Sequence, residues 1–197
     1  MQATDTQNAL AGLRRWTLER DDSGPHRVYR DKSGVSYASV THILKETSPQ
    51  WQKDALDRWL ERPTAPMERD VACERGTLAH NHAEYVLKTA AKLARNSANK
   101  RGSWRTGDDG LERAPKGITT WAIEKAIQGA PRVSWSASGY ARGLRTWIGE
   151  NVTAIHAIEF SIHDPRGWAG TADALIDVNG TLCVADWKTS VNGYSVS

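Results

Sequence analysis

An α/β fold, with helices covering a short antiparallel sheet, is predicted by three observations. Apolar side chains recur at helical spacing from about Met67 to Asn99. The last fifty residues change to strand-like segments, and the final two of these flank a tight Asn179-Gly180 turn. The composition agrees: 39% of 197 residues are hydrophobic and 16 more are glycine, an ordinary globular balance that excludes a disordered tail, a collagen-like chain and a coiled coil. That length predicts one domain over 1–197 in three segments: N-terminal helices and a hairpin over 1–66, a helical body over 67–150, and a β-meander over 151–197. No run of 18 apolar residues offers a membrane span, and the N-terminus lacks an apolar signal core. A soluble, intracellular, cytoplasmic protein is expected.

Taken in order, residues 4–20 read as a short helix with Leu10, Leu13 and Trp16 on one side. Val28 and Tyr29, a DKSG turn, then Val35, Tyr37 and Val40 read as a hairpin. Ser39 or Thr41 is placed to cap a helix through Leu44, and a second helix over 53–62 is stopped by Pro63 and Pro66. On the long helix, Leu78, Val86, Leu87, Ala90 and Leu93 form the apolar side. A polar, Gly/Pro-rich loop or mobile insertion is expected at about 100–117, and helices near 119–128 and 136–149. Three strands follow, IHAIEFSI, WAGTADALIDV and TLCVADWKT.

Charge is unevenly divided. Residues 1–150 carry a net +6 and residues 151–197 a net −3, which suits a polyanion-binding body joined to a cation-binding end. From Val86 to Gly107 there is no acid, and Lys88, Lys92 and Arg95 share a helix face. That face is either simply solvated or a contact for nucleic-acid phosphates. Two cysteines, Cys73 and Cys183, are too few for a disulfide framework or a four-cysteine iron–sulfur cluster and read as small buried hydrophobes.

The chemistry concentrates near the end. In Asp186-Trp187-Lys188, strand alternation sends Asp186 and Lys188 to one face and Trp187 to the other. Alone, this is either an ion pair at a strand terminus or a working pair. The turn decides the register: with Asn179-Gly180 at its tip, Val178 opposes Thr181 and Asp173 opposes Asp186. Opposed residues share a face with Cβ atoms about 5 Å apart. Two carboxylates there repel unless a divalent cation lies between them. Glu159, on the first strand, is either a third oxygen ligand or a solvent-facing residue, and Asp177, near the turn, reads as exposed. Gly76, His80 and Glu84 fall along one side of the long helix, where His80 is either a packed histidine or a metal ligand.

Four stretches in order resemble the PD-(D/E)XK nucleases of the RecB type, with likeness to phage exonucleases and mitochondrial genome maintenance exonucleases. They are Tyr37-Ala-Ser-Val-Thr-His-Ile-Leu44, Arg75-Gly-Thr-Leu-Ala-His80, Gly167-Trp-Ala-Gly-Thr-Ala-Asp173 and Val184-Ala-Asp-Trp-Lys-Thr-Ser190. The resemblance covers about residues 37–190 and implies a restriction-endonuclease-like core, a helix followed by the meander. It implies a metal-dependent deoxyribonuclease, an exonuclease of DNA recombination, repair or phage DNA processing in a bacterial or phage-infected cell. By position, His80 matches the family's helix histidine, Asp173 the acid after G-x-x, Asp186 and Lys188 its D-x-K pair, and Glu159 an acid on the first core strand. Mg²⁺ or Mn²⁺ would be held by Asp173, Asp186, His80 and the Trp187 carbonyl, while Lys188 orients the attacking water. The implied partner is DNA, at ends or in single strands. The family continues with a helix and strand after D-x-K, whereas here VNGYSVS follows Ser190. The expectation is therefore a truncated form, a variant, or a site completed by a protein partner. The alternative function is an inactive or partner-completed DNA-binding module on the same scaffold.

Overall fold

The computed structural model describes residues 18–106 and 111–189, a mixed α/β fold. The helix expected over 4–20 lies outside the described residues up to 17, and beyond them Glu19–Asp21 is a strand, β1. The chain divides into two compact units, Met1–Arg69 with Phe160–Ala172, and Asp70–Glu159 with Asp173–Ser197.

In the first unit β1, β2 (Val28–Arg30) and β3 (Ser36–Ser39) form an antiparallel ladder, as the hairpin pattern predicts. Asp31 shapes the turn: its Oδ1 accepts the N–H groups of Ser33 (2.9 Å) and Val35 (3.0 Å), and Gly34 takes the left-handed φ of 86° that the turn requires. Helix α1 (Val40–Thr47) runs past the expected Leu44 and is not capped by a side chain of Ser39. Ser48, forced to extended backbone by the following proline, ends it. Pro49 then leads into α2 (Gln50–Leu60), three residues earlier than expected. Strand β3 runs parallel to the start of β7 (Trp168–Val178), with Ala38 opposite Trp168 and Ser39 opposite Ala169. The Tyr29 and Thr171 hydroxyls, 3.2 Å apart, add a cross-strand bond, and Tyr29, Tyr37 and Ala169 make a small core.

The second unit is built on α3 (Ala65–Lys100). Pro66 does not stop a helix; it sits in the first turn of this one, where a missing N–H costs nothing. The buried side of α3 is mostly alanine (Ala83, Ala90, Ala94, Ala98), with Val86 and Leu87, so neighbouring elements approach closely. It meets Ala122, Ile123 and Ala126 of α4 (Lys116–Gln128), Ile148 of α5 (Ser138–Asn151), and Ala174 and Ile176 of β7. The segment expected as a loop over 100–117 holds a small hairpin, β4 (Arg105–Thr106) and β5 (Glu112–Arg113). Cys73 is exposed rather than buried, and Cys183 is half-buried.

Strand β6 (Val152–Asp164) neighbours β7, and β7 pairs antiparallel with β8 (Thr181–Ala185). Asn179 and Gly180 adopt φ of 51° and 88°, a two-residue primed turn, and the ladder runs from Val178–Thr181 to Ala174–Ala185 in the predicted register. The strand expected through Thr189 ends at Ala185, so the ladder stops one pair short of Asp173 and Asp186. Asp177 is not exposed: it is 5% accessible, bound to His156 Nε2 at 2.8 Å and to Arg113 Nη1 at 3.2 Å. No helix among the described residues is long and apolar enough to cross a membrane.

Candidate active site

Why the ladder ends at Ala185 is visible in one hydrogen bond. The next backbone donor on that side, the Trp187 N–H, is taken by the carboxylate of Asp173 at 2.5 Å instead of by a strand carbonyl. The indole of Trp187 is 8% accessible and packs edge-on against Trp147 of α5, with ring centroids 5.5 Å apart. Trp187 thus turns inward and sends its two charged neighbours outward. Asp186 and Lys188 share a face, as alternation predicts, and pair at 2.7 Å, both more than half exposed.

From the other side, α3 brings His80 to the same carboxylate: Nδ1 lies 3.4 Å from Asp173 Oδ2, the oxygen that also accepts the Trp187 N–H. The Asp173 hydrogen bond outweighs burial and, with help from the Trp187 backbone, raises the His80 pKa above its ordinary 6.5. Burial works to raise Asp173, but the bonds from His80 and the Trp187 N–H prevail and hold it below its ordinary value. One turn before His80, Gly76 keeps room for the segment that follows Lys188. A Cβ there would stand 3.4 Å from the Thr189 hydroxyl.

Glu159 feels the charges of this pair and of a further carboxylate, Glu84. Glu159 is raised above its ordinary pKa by burial, then by the negative charges of Asp173 and Glu84. Its backbone has a φ of 48°, left-handed for a residue with a side chain, inside a strand. Such a conformation costs on the order of 1–3 kcal/mol and recurs where a side chain must be re-aimed. Glu84 is ion-paired with Lys88, four residues along α3.

The structure therefore brings together His80, Asp173 and the Trp187 backbone, with Glu159 within electrostatic reach of His80 and Asp173. It keeps Asp186 and Lys188 as an outward ion pair. Among the described residues no three His, Cys, Asp or Glu side chains are arranged as a ready cage for a metal ion. The donor types, carboxylates with one imidazole and a carbonyl, nonetheless suit a hard divalent cation. Lys92 and Arg95 are exposed on α3, and Arg95 lies over the Trp104 ring at 5.5 Å. The Trp147 socket and the Thr189 contact carry no sequence signal, because both join residues distant along the chain.

No family model matches the chain, and no solved structure matches it. It is similar to mitochondrial genome maintenance exonuclease 1 of Mus musculus, with 24% identity over 176 residues. The match takes in 85% of this chain and 40% of that protein, so the chain spans well under half the length of this relative.

Proposed function

We propose, taking the similarity to an exonuclease as the premise, that this chain is a metal-dependent DNA exonuclease with a RecB-type, restriction-endonuclease-like core. The core would be α3 followed by β6, β7 and β8. The observation that carries the reading is the convergence of His80 and the Trp187 N–H on one oxygen of Asp173, immediately before the exposed Asp186–Lys188 pair. In this reading Asp173, Asp186, His80 and the Trp187 carbonyl would hold Mg²⁺ or Mn²⁺, with Glu159 as a further acid. Such a cation, when bound, relieves charge on phosphate oxygens and lowers the pKa of water. The remaining work belongs to the chain. Asp173 fixes the imidazole of His80, and burial of the Trp187 indole fixes the backbone between Asp186 and Lys188. Lys188, exposed beside Asp186, would offer its ammonium to the attacking water and the scissile phosphate. DNA processing, in recombination, repair or a phage cycle, is the corresponding role.

The test is digestion of end-labelled DNA with Mg²⁺ or Mn²⁺, together with calorimetric titration of each metal. Lys188→Ala and Asp186→Ala are expected to lose at least about 100-fold in rate, the scale of removing one electrostatic stabiliser. Asp173→Asn is expected to weaken metal binding as well. Cleavage at the parent rate in both the Lys188 and Asp186 variants would falsify the assignment.

A second reading, a non-cleaving DNA-binding module completed by a partner, is favoured by β8. Among the described strands it pairs with β7 alone, and Val184 on it is exposed. Salt-dependent DNA binding without cleavage under any divalent ion is its signature.

A further inference from the structure

Helix α2 is two-sided, yet no residue of it is buried. At about 3.6 residues per turn, Trp51, Ala55 and Trp59 form one row along it, and Leu56 and Leu60 continue the same side. An apolar half of this kind normally lies against a core. Here Trp51 is 67% accessible, Leu56 55% and Leu60 44%, while Trp59 is half-buried. The helix is tied to α1 by the Lys53 ammonium, which donates to the Glu46 carbonyl at 2.9 Å. The side that an amphipathic helix keeps dry is left open.

The charges at its two borders indicate the occupant. One border carries Asp54 and Arg58, the other Lys53 and Asp57, each pair one turn apart. Asp57 and Arg58 form no ion pair among the described residues. Acids and bases balance on this helix, which gives a nucleic-acid backbone or an anionic membrane no reason to choose it. The order of the charges instead matches itself. A two-fold axis that sets two such helices antiparallel puts each border beside the same border of the other copy. With the axis at Ala55, Trp51 opposes Trp59 and Lys53 opposes Asp57; with a shift of one position, Asp54 opposes Arg58. Aromatic then meets aromatic and acid meets base, while the small side chain of Ala55 lets the helices approach.

We propose that α2 is the contact through which two copies of this chain associate, antiparallel and two-fold symmetric, with Ala55 beside the axis. A helix of 11 residues is only about 16 Å long, so the interface is small and the dimer reversible, with a micromolar dissociation constant. The dimer requires nothing of the nuclease reading.

The experiment is sedimentation equilibrium of the full chain in EDTA, from low to several hundred micromolar, where the parent is expected to pass from monomer to dimer. Leu56→Glu, which places a carboxylate in the contact, is expected to weaken the dimer at least about 100-fold. Asp54→Arg sets arginine against arginine, and Arg58→Asp sets aspartate against aspartate. Each alone is expected to weaken self-association about tenfold. Mixed in equal amounts, the two variants are expected to form a heterodimer at parent affinity, since every facing pair is then opposite in sign. Variants that merely fail to fold do not restore one another. A parent chain that stays monomeric, a dimer that survives Leu56→Glu, or charge variants that do not recover on mixing each overturns the proposal.

Discussion

Two histidines two residues apart on α3 respond to their surroundings in opposite directions. His80, beside Asp173, has its pKa raised; His82, 4% accessible, has it lowered, first by burial and then by the Arg145 charge. Neither ring nitrogen of His82 has a hydrogen-bond partner, so the neutral ring is the form the fold accepts. The stability consequences are opposite in sign. His80 contributes stability that is fully present below 6.5 and is lost as pH rises through its folded value. His82 contributes above 6.5, and that contribution is lost as pH falls through its own lower folded value. Titration of the imidazole resonances by NMR, without added metal, is expected to give His80 above and His82 below 6.5. Asp173→Asn is expected to return His80 downward while leaving His82 unmoved.

At the scale of elements, the β7–β8 hairpin was the most legible part of the molecule. A two-residue Asn-Gly turn leaves one register, and counting outward from it brings Asp173 level with Asp186. The count had no way to show that Asp173 would capture the Trp187 N–H and end β8 early, because that competition depends on where Trp187 is buried. Gly180 is held at a φ of 88°, so Gly180→Ala should cost about 1–2 kcal/mol, read from urea unfolding. The helical side was legible in part. Periodicity found α3, but Pro63 and Pro66 read as stops when only position relative to the first turn distinguishes a stop from a start. The parallel pairing of β3 with β7 left no trace in local pattern, since each strand alternates the same way whatever partner it has.

For the whole molecule, the buried Asp177 shows what local pattern misses. Its partners lie on β5 and β6, 64 and 21 residues away, and the Thr153 hydroxyl on β6 also donates to its carbonyl at 3.2 Å. One carboxylate thus ties together three elements of the second unit. Asp177→Ala should lose about 2–3 kcal/mol in urea unfolding. This is less than for a wholly buried pair, because Arg113 keeps 28% of its side chain in solvent. The candidate site was legible in its residue types and order, while its geometry depended on a long-range meeting of α3 with the hairpin. That meeting also has a time order. Asp173 and the Trp187 N–H belong to one hairpin, which closes in about 1–10 μs. His80 stands 93 residues upstream of Asp173 and arrives only when the larger loop has closed. In refolding, the grip of the chain's own backbone on the Asp173 carboxylate is therefore expected to form in an earlier and faster step than the arrival of His80.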